Sequence, residues 1–246
     1  MNRPPAPISA ARSAAAQDAR VGVLMLESRF PRPPGDLGHD DTFDGPVLRH
    51  VVTSASPARV VRDGAPGLLE PFVRGARDLE ARGARIITTS CGFLAPFQTA
   101  LASAVSVPVV TSALMQVAPM EAALATGRRC GVVTIAGTSL TREHLRAAGA
   151  APDTPVETTE GAREMTRAIL GDEERLDTDA ARADVVDACC RLAARGDVGA
   201  IVLECTNMTP YAASAAGATG LPVATIVTLV DWMRAACAPR RYAPLR

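Results

Sequence analysis

The sequence predicts an α/β protein of two similar lobes, each with a parallel sheet, related by a pseudo-twofold axis. Three observations carry this. Short apolar runs alternate with longer helix-like stretches along the chain, the signature of strands crossing over through helices. The apolar runs are continuous, without the period of two that marks a half-exposed strand, so their sheets are buried on both faces. The pattern also repeats: at a shift of 114 residues Cys91 falls on Cys205, Pro96 on Pro210, Phe97 on Tyr211, Pro108 on Pro222, Val109 on Val223 and Thr111 on Thr225, without a gap. The opening strands, VGVLML and CGVVTI, match at a shift of 109.

In chain order, Val21–Leu26 and Leu48–Thr53 read as strands. A helix is expected over Leu68–Arg82, stopped by Gly83. Arg85–Thr89 is the third strand, a helix follows from about Ala95 to Ala104, and Pro108–Thr111 is the fourth strand. The cycle restarts with strands at Cys130–Ile135, Val156–Thr159, Ala200–Leu203 and Pro222–Ile226, and with a helix over about Thr178–Arg195. The acidic run Asp172-Glu173-Glu174 reads as a helix N-terminus, where the dipole favours anions. The resulting division is a disordered tail over 1–20, a first lobe over 21–115, a bridge over 116–129, a second lobe over 130–235 and a C-terminal tail over 236–246. Each lobe is of the flavodoxin-like or Rossmann-like kind.

Composition narrows the function. The chain has 246 residues, 26 basic and 26 acidic side chains, and only 3% aromatics. Zero net charge and so few rings argue against nucleic acid as a partner. Every basic residue is Arg, so Schiff-base chemistry, a lysine-bound pyridoxal cofactor and a phosphate-loop lysine are excluded. No apolar run is long enough for a membrane helix, and the first twenty residues lack the apolar core of an export signal. A cytoplasmic protein with free thiols is the expectation. The six cysteines include no C-x-x-C pair and the three histidines are scattered, so no metal site is expected. No Gly-x-Ser-x-Gly elbow points to a hydrolase. His50 is expected to be satisfied within the second strand; His39 lies in a Gly/Asp-rich loop, where contact with a ligand is an alternative to the favoured loop role.

Cys91 and Cys205 end the third strand of each half, and each precedes a turn and a helix. Open α/β sheets bind ligands beyond the carboxyl ends of their strands, beside helix N-termini. A thiol there is expected to have its pKa lowered toward about 7, suiting it to take and give protons. Two such thiols across a pseudo-twofold axis flank one ligand. That is the requirement for inversion at an acidic carbon, where one group removes a proton and the other returns one to the opposite face. Cys130, Cys189, Cys190 and Cys237 read as structural.

The segments Thr89-Ser90-Cys91-Gly92-Phe93 and Glu204-Cys205-Thr206-Asn207-Met208 resemble the two cysteine motifs of the aspartate/glutamate racemase superfamily, over about residues 21–235. The segment Pro34-Gly35-Asp36-Leu37-Gly38 with Asp41-Thr42-Phe43 resembles a less characterised branch of it. The resemblance implies proton transfer between two cysteines in an interlobe cleft, with no cofactor, on a small carboxylate. It departs from the glutamate racemases, which resemble Ala-Cys-Asn-Thr at the first motif and Cys-Thr-His at the second, where this chain has Ser-Cys-Gly-Phe and Asn207. Family racemases carry an acid-Ser pair at the place of Glu27 and Ser28, which puts Glu27 beside Cys91 as an aid to its proton exchange. Ser90, Gly92, Thr206 and Asn207 are expected to bind the carboxylate, with Thr134 and Thr138 of the TIAGTSL turn as a second cradle and Phe93 as an apolar wall. The expected activity is an amino-acid racemase or epimerase. A maleate-isomerase-like reaction, with one cysteine attacking a double bond, and a non-catalytic acid binder are the alternatives. A homodimer is expected by analogy alone.

Overall fold

The computed structural model describes residues 20–239; most of the expected N-terminal tail and the last seven residues lie outside them. The first sheet contains β1 (Val21–Leu26), β2 (Val47–Val52), β3 (Ile86–Thr89) and β4 (Val109–Val110), in the order β2-β1-β3-β4. The second contains β5 (Arg129–Thr134), β6 (Val156–Thr158), β7 (Val198–Leu203) and β8 (Val223–Ala224), in the equivalent order β6-β5-β7-β8. The neighbouring strands of both sheets pair in parallel. The order reverses between β1 and β3, and between β5 and β7, so each lobe opens its ligand crevice beside a cysteine motif.

The helices are α1 (Pro57–Val61), α2 (Leu69–Ala81), α3 (Gln98–Ala104), α4 (Val117–Ala122), α5 (Arg142–Ala147), α6 (Met165–Leu170), α7 (Thr178–Ala193), α8 (Ala212–Thr219) and α9 (Ile226–Cys237). The expected helix over 95–104 begins instead as a 3-10 turn at Gly92–Phe97, because Pro96 lacks the N–H that an α-helix would use. The acidic triplet does not start a helix. Asp177 caps α7 by accepting from the N–H groups of Asp179 and Ala180, while Asp172 and Glu174 hold Arg29 and Glu173 pairs with Arg167. The short helices α1, α5 and α6, of five or six residues, span too few turns to show a period in sequence.

Both faces of each sheet are buried, as the apolar runs require. Leu24 and Ile87 of the first sheet pack toward Phe72, Ala76 and Leu79 of α2. The second sheet is covered on the matching face by Ala181, Val185, Ala188, Cys189 and Leu192 of α7. The other two faces share one core, in which Val21, Val23 and Ile86 join Val132, Ala200 and Val202. Its helices are exchanged. Helix α4 follows β4 yet lies on β5 and β7, and α9 follows β8 yet reaches β3. The 116–129 segment thus supplies α4 to the second sheet before entering β5.

Candidate active site

Buried backbone groups at the strand ends fix the site. In the first lobe Ser90 N–H donates to the Leu24 carbonyl at 2.9 Å, and its hydroxyl accepts the Leu26 N–H at 2.9 Å. In the second, Glu204 N–H donates to the Val133 carbonyl at 2.9 Å, and the Ile135 N–H approaches its carboxylate. Ser90 and Glu204 are therefore equivalent residues, each directly before its cysteine. The lobes cross at this point. Thr206 Oγ1 donates to the Ser90 carbonyl at 2.7 Å, and Gly92 lies against Glu204.

Cys91 and Cys205 follow, both buried, and each is the N-cap of a six-residue 3-10 turn, Gly92–Phe97 and Thr206–Tyr211. Their thiols line one cavity with Leu26, Phe30, Val61, Ile135, Ile169 and Leu170 as its apolar wall. Ser90, Gly92, Phe93, Glu204, Asn207 and Arg32 line it too. The space is tight, with about 20 Å³ open to the centre of a water-sized sphere, room for one or two waters.

The segment 28–45 closes the cavity by tying the lobes together. Asp36, 1% exposed, accepts from Arg32 Nη1 at 2.8 Å, the Gly38 N–H at 2.7 Å and Asn207 Nδ2 at 2.6 Å. Arg32 Nη2 also donates to Ser28 Oγ at 2.8 Å, which gives Ser28 a positioning place at the rim. Gly35, at φ +97°, sits with its Cα face 3.1 Å (as an ideal Cβ) from Pro210 Cα, and Arg234 donates to the Asp44 carbonyl.

Electrostatics corrects one expectation. The thiols are not lowered toward neutrality. Each is approached by one backbone N–H, from Phe93 for Cys91 and Asn207 for Cys205, but burial pushes both well above the ordinary thiol value and Glu204 adds to it. Cys205 Sγ also donates to Asn207 Oδ1 at 3.5 Å. Glu204 is itself pushed up to about 7 by burial, against the opposing bond from Thr134 Oγ1 to its Oε2 at 2.8 Å. Its other oxygen, Oε1, is buried with no hydrogen-bond partner.

The expected residues thus divide. Cys91, Cys205, Ser90, Gly92, Phe93 and Asn207 meet at the cavity. Thr206 clasps the lobes beneath it, and Thr134 positions Glu204. Two residues lie elsewhere. Glu27, expected beside Cys91, is exposed, and its carboxylate accepts the Ser54 N–H at 2.8 Å because the strand end turns it outward. Thr138, expected in the second cradle, donates to Glu160 Oε1 at 2.8 Å on the surface. His39 does not line the cavity either; it caps the Asp40–Thr42 turn. His50 is satisfied, through Nδ1 to Asp78 Oδ2 at 2.9 Å. Sequence reasoning passed over Arg32, Asp36 and Glu204 as site residues, although the shift of 114 that pairs the cysteines also pairs Ser90 with Glu204.

Known proteins share this architecture. The sequence model of the Asp/Glu/hydantoin racemase family matches residues 46–238. A dimethylsulfoniopropionate lyase of Durusdinium sp. clade D is 28% identical over 222 residues, 87% of this chain and 73% of that protein. The chain spans 45% to 64% of the length of four further lyases of that name from Emiliania huxleyi. Among solved structures, a glycine-to-cysteine mutant of arylmalonate decarboxylase in its sulfate-associated form superposes with a TM-score of 0.60 at 20% identity, over 89% of this chain and 93% of that one. Allantoin racemase from Klebsiella pneumoniae superposes with a TM-score of 0.59 at 17% identity, over 93% and 95%. No helix among the described residues is long and apolar enough to cross a membrane.

Proposed function

The chain belongs to the Asp/Glu/hydantoin racemase family, and from that premise we propose that it is a cofactor-independent enzyme that moves a proton at the carbon next to the carboxylate of a small acid, as an amino-acid racemase or epimerase does. One observation carries the reading: two cysteines from equivalent places in two lobes line a single tight cavity. In the reaction one thiolate takes the α-hydrogen, and the C–H electron pair moves into the carboxylate. The other thiol then protonates the carbon from the opposite face, leaving its own sulfur as thiolate. Arg32 lines the cavity wall with its charge held by Asp36 at 2.8 Å, so the carboxylate is met by the polar groups of Ser90, Gly92 and Asn207.

A second reading is favoured by the relatives named dimethylsulfoniopropionate lyases and by the apolar wall of Phe30, Val61, Ile169 and Leu170. The first step is the same. When the β-carbon carries a leaving group, the electron pair forms a C=C bond and the C–S bond breaks with its pair on sulfur. One enzyme design thus yields inversion or elimination according to the substrate.

The test is incubation in heavy water with amino acids, hydantoins, small dicarboxylates and dimethylsulfoniopropionate, followed by NMR. Deuterium entering the α-position without loss of a group supports racemisation; release of acrylate supports elimination. Cys91→Ser and Cys205→Ser are each expected to lower the rate by about 10²–10⁴-fold while leaving the fold intact. Near-full activity in both variants would sink the assignment.

A further inference from the structure

We propose that Asp36 is a positioning residue that orients the side-chain amide of Asn207 and through it keeps Cys205 protonated, so that in the resting protein Cys205 is the proton donor and Cys91 the base; the proposal deepens the reading above and rests on it for the reaction that the two thiols serve.

The contacts run from the closing segment to the sulfur. Asp36 is buried, and its Oδ1 accepts from Arg32 Nη1 at 2.8 Å and from the Gly38 N–H at 2.7 Å. Its Oδ2 faces the Asn207 amide at 2.6 Å. A carboxylate only accepts, so the end of the amide turned to it must be the NH2. The oxygen of the same amide is thereby turned to Cys205 Sγ, at 3.5 Å. An amide oxygen accepts and never donates, so it holds a thiol by its S–H and repels a thiolate. Turned the other way, the amide would offer Cys205 an N–H and favour the thiolate. Asp36 forbids that orientation.

Segment 28–45 is shaped to keep Asp36 in place. Gly35, at φ +97°, lies against Pro210 in the turn that carries Asn207, and a side chain on Gly38 would fall on Arg32.

The two thiols are therefore unequal although their places are equivalent. One backbone N–H approaches each, but among the described residues only Cys205 has a side-chain acceptor. The charged surroundings act in the same direction. Glu204 from its own strand end, Cys91 from the first lobe and Asp36 from segment 28–45 all oppose negative charge on Cys205. Glu204 bears on both thiols, Asp36 on Cys205 alone. Arg32 is held by Asp36, and helices α1 and α6 bring only the apolar Pro57, Val61, Ile169 and Leu170 to the cavity. In the reaction Cys91, its proton lost to water, forms an S–H bond with the α-hydrogen while the C–H pair passes into the carboxylate. Cys205 then protonates the carbon from the other face, its S–H bond breaking with the pair left on sulfur. Proton exchange with water restores the starting state.

Infrared spectroscopy and cysteine labelling test this without substrate. The two S–H stretching bands are assigned by their loss in Cys91→Ser and Cys205→Ser. In the wild type the Cys205 band should lie at the lower frequency, as a donated S–H does, and Asn207→Leu should raise it. Asp36→Asn is the sharper variant. The oxygen of the introduced amide keeps Arg32 and Gly38, its NH2 faces Asn207, and the Asn207 amide must invert, turning its own NH2 to Cys205 Sγ. The Cys205 band should then move up. Labelling of Cys205 by iodoacetamide should rise about tenfold relative to Cys91, as expected when a hydrogen bond to the thiol is exchanged for one to the thiolate. Each cysteine is alone in its tryptic peptide, 86–128 or 196–234, so mass spectrometry reads the two separately. Cys91 shares the cavity and measures access. A rise shared equally by both thiols would mean only that the segment had opened, and would overturn the proposal; so would coincident S–H bands in the wild type, which decide the matter even where Asp36→Asn fails to fold. If bands and labelling come out as expected but no acid exchanges its α-hydrogen, the inequality of the thiols stands and the α-carbon reaction falls.

Discussion

Gly92 shows how a single hydrogen atom can be a requirement. Its neighbour across the lobes is backbone as well as carboxyl, so Gly92→Ala cannot be relieved by a side chain swinging away. We expect this substitution to cost about 1–3 kcal/mol in urea denaturation and to lower proton exchange, because it drives the two cysteine motifs apart. The cysteines themselves were legible in the sequence, since a rare residue in common register with paired prolines stands out from a composition rich in Ala and Arg. Glu204 was not, because a carboxyl beside a cysteine reads as solvated until the strand end is seen to bury it. Glu27 failed in the opposite sense. Its position in the chain is right for the site, but the rotation of the chain after β1 sends the carboxylate to Ser54.

Segment 28–45 is where the two lobes meet over the cavity. It belongs to the first lobe by sequence, yet Asp36 and Gly35 are seated on Asn207 and Pro210 of the second. With so little space in the cavity, we expect a substrate to enter when this segment lifts. Asp36→Ala removes the tie to Asn207 and leaves Arg32 without its buried partner, at a cost of about 3 kcal/mol. The expected readout is faster labelling of Cys205 by a thiol reagent, together with faster proteolysis within 28–45. Unchanged labelling would mean that the segment does not guard the thiol. The strands were legible here and the segment was not. Strand runs announce themselves by burial on both faces, whereas a loop rich in Gly, Pro and Asp carries no period, and its contacts are set by the far lobe.

For the molecule as a whole, the buried carboxyl has a price in stability that depends on pH. Glu204 binds its proton more tightly in the folded chain, at about 7, than at its ordinary value of 4.5. Between those values the folded state holds more protons than the unfolded one, so this group's contribution falls as pH rises through the window and stays low above it. At about 1.36 kcal/mol per unit the loss is roughly 3 kcal/mol. Glu204→Gln should therefore gain on the wild type by up to about that amount between pH 5 and pH 8 in denaturant titrations; a constant gap would contradict it. The two-lobe plan and its parallel sheets were readable from the alternation and the repeat. The exchange of α4 and α9 was not, since nothing local tells a helix which sheet it will cover. That exchange has a consequence for the halves as separate entities. One half alone would carry a helix with no sheet beneath it and a sheet with one bare face. It becomes complete only against a second copy offering the reciprocal helix, so a protein of this design in half-length form would be an obligate dimer, and this chain has the form that joining such a pair end to end would give.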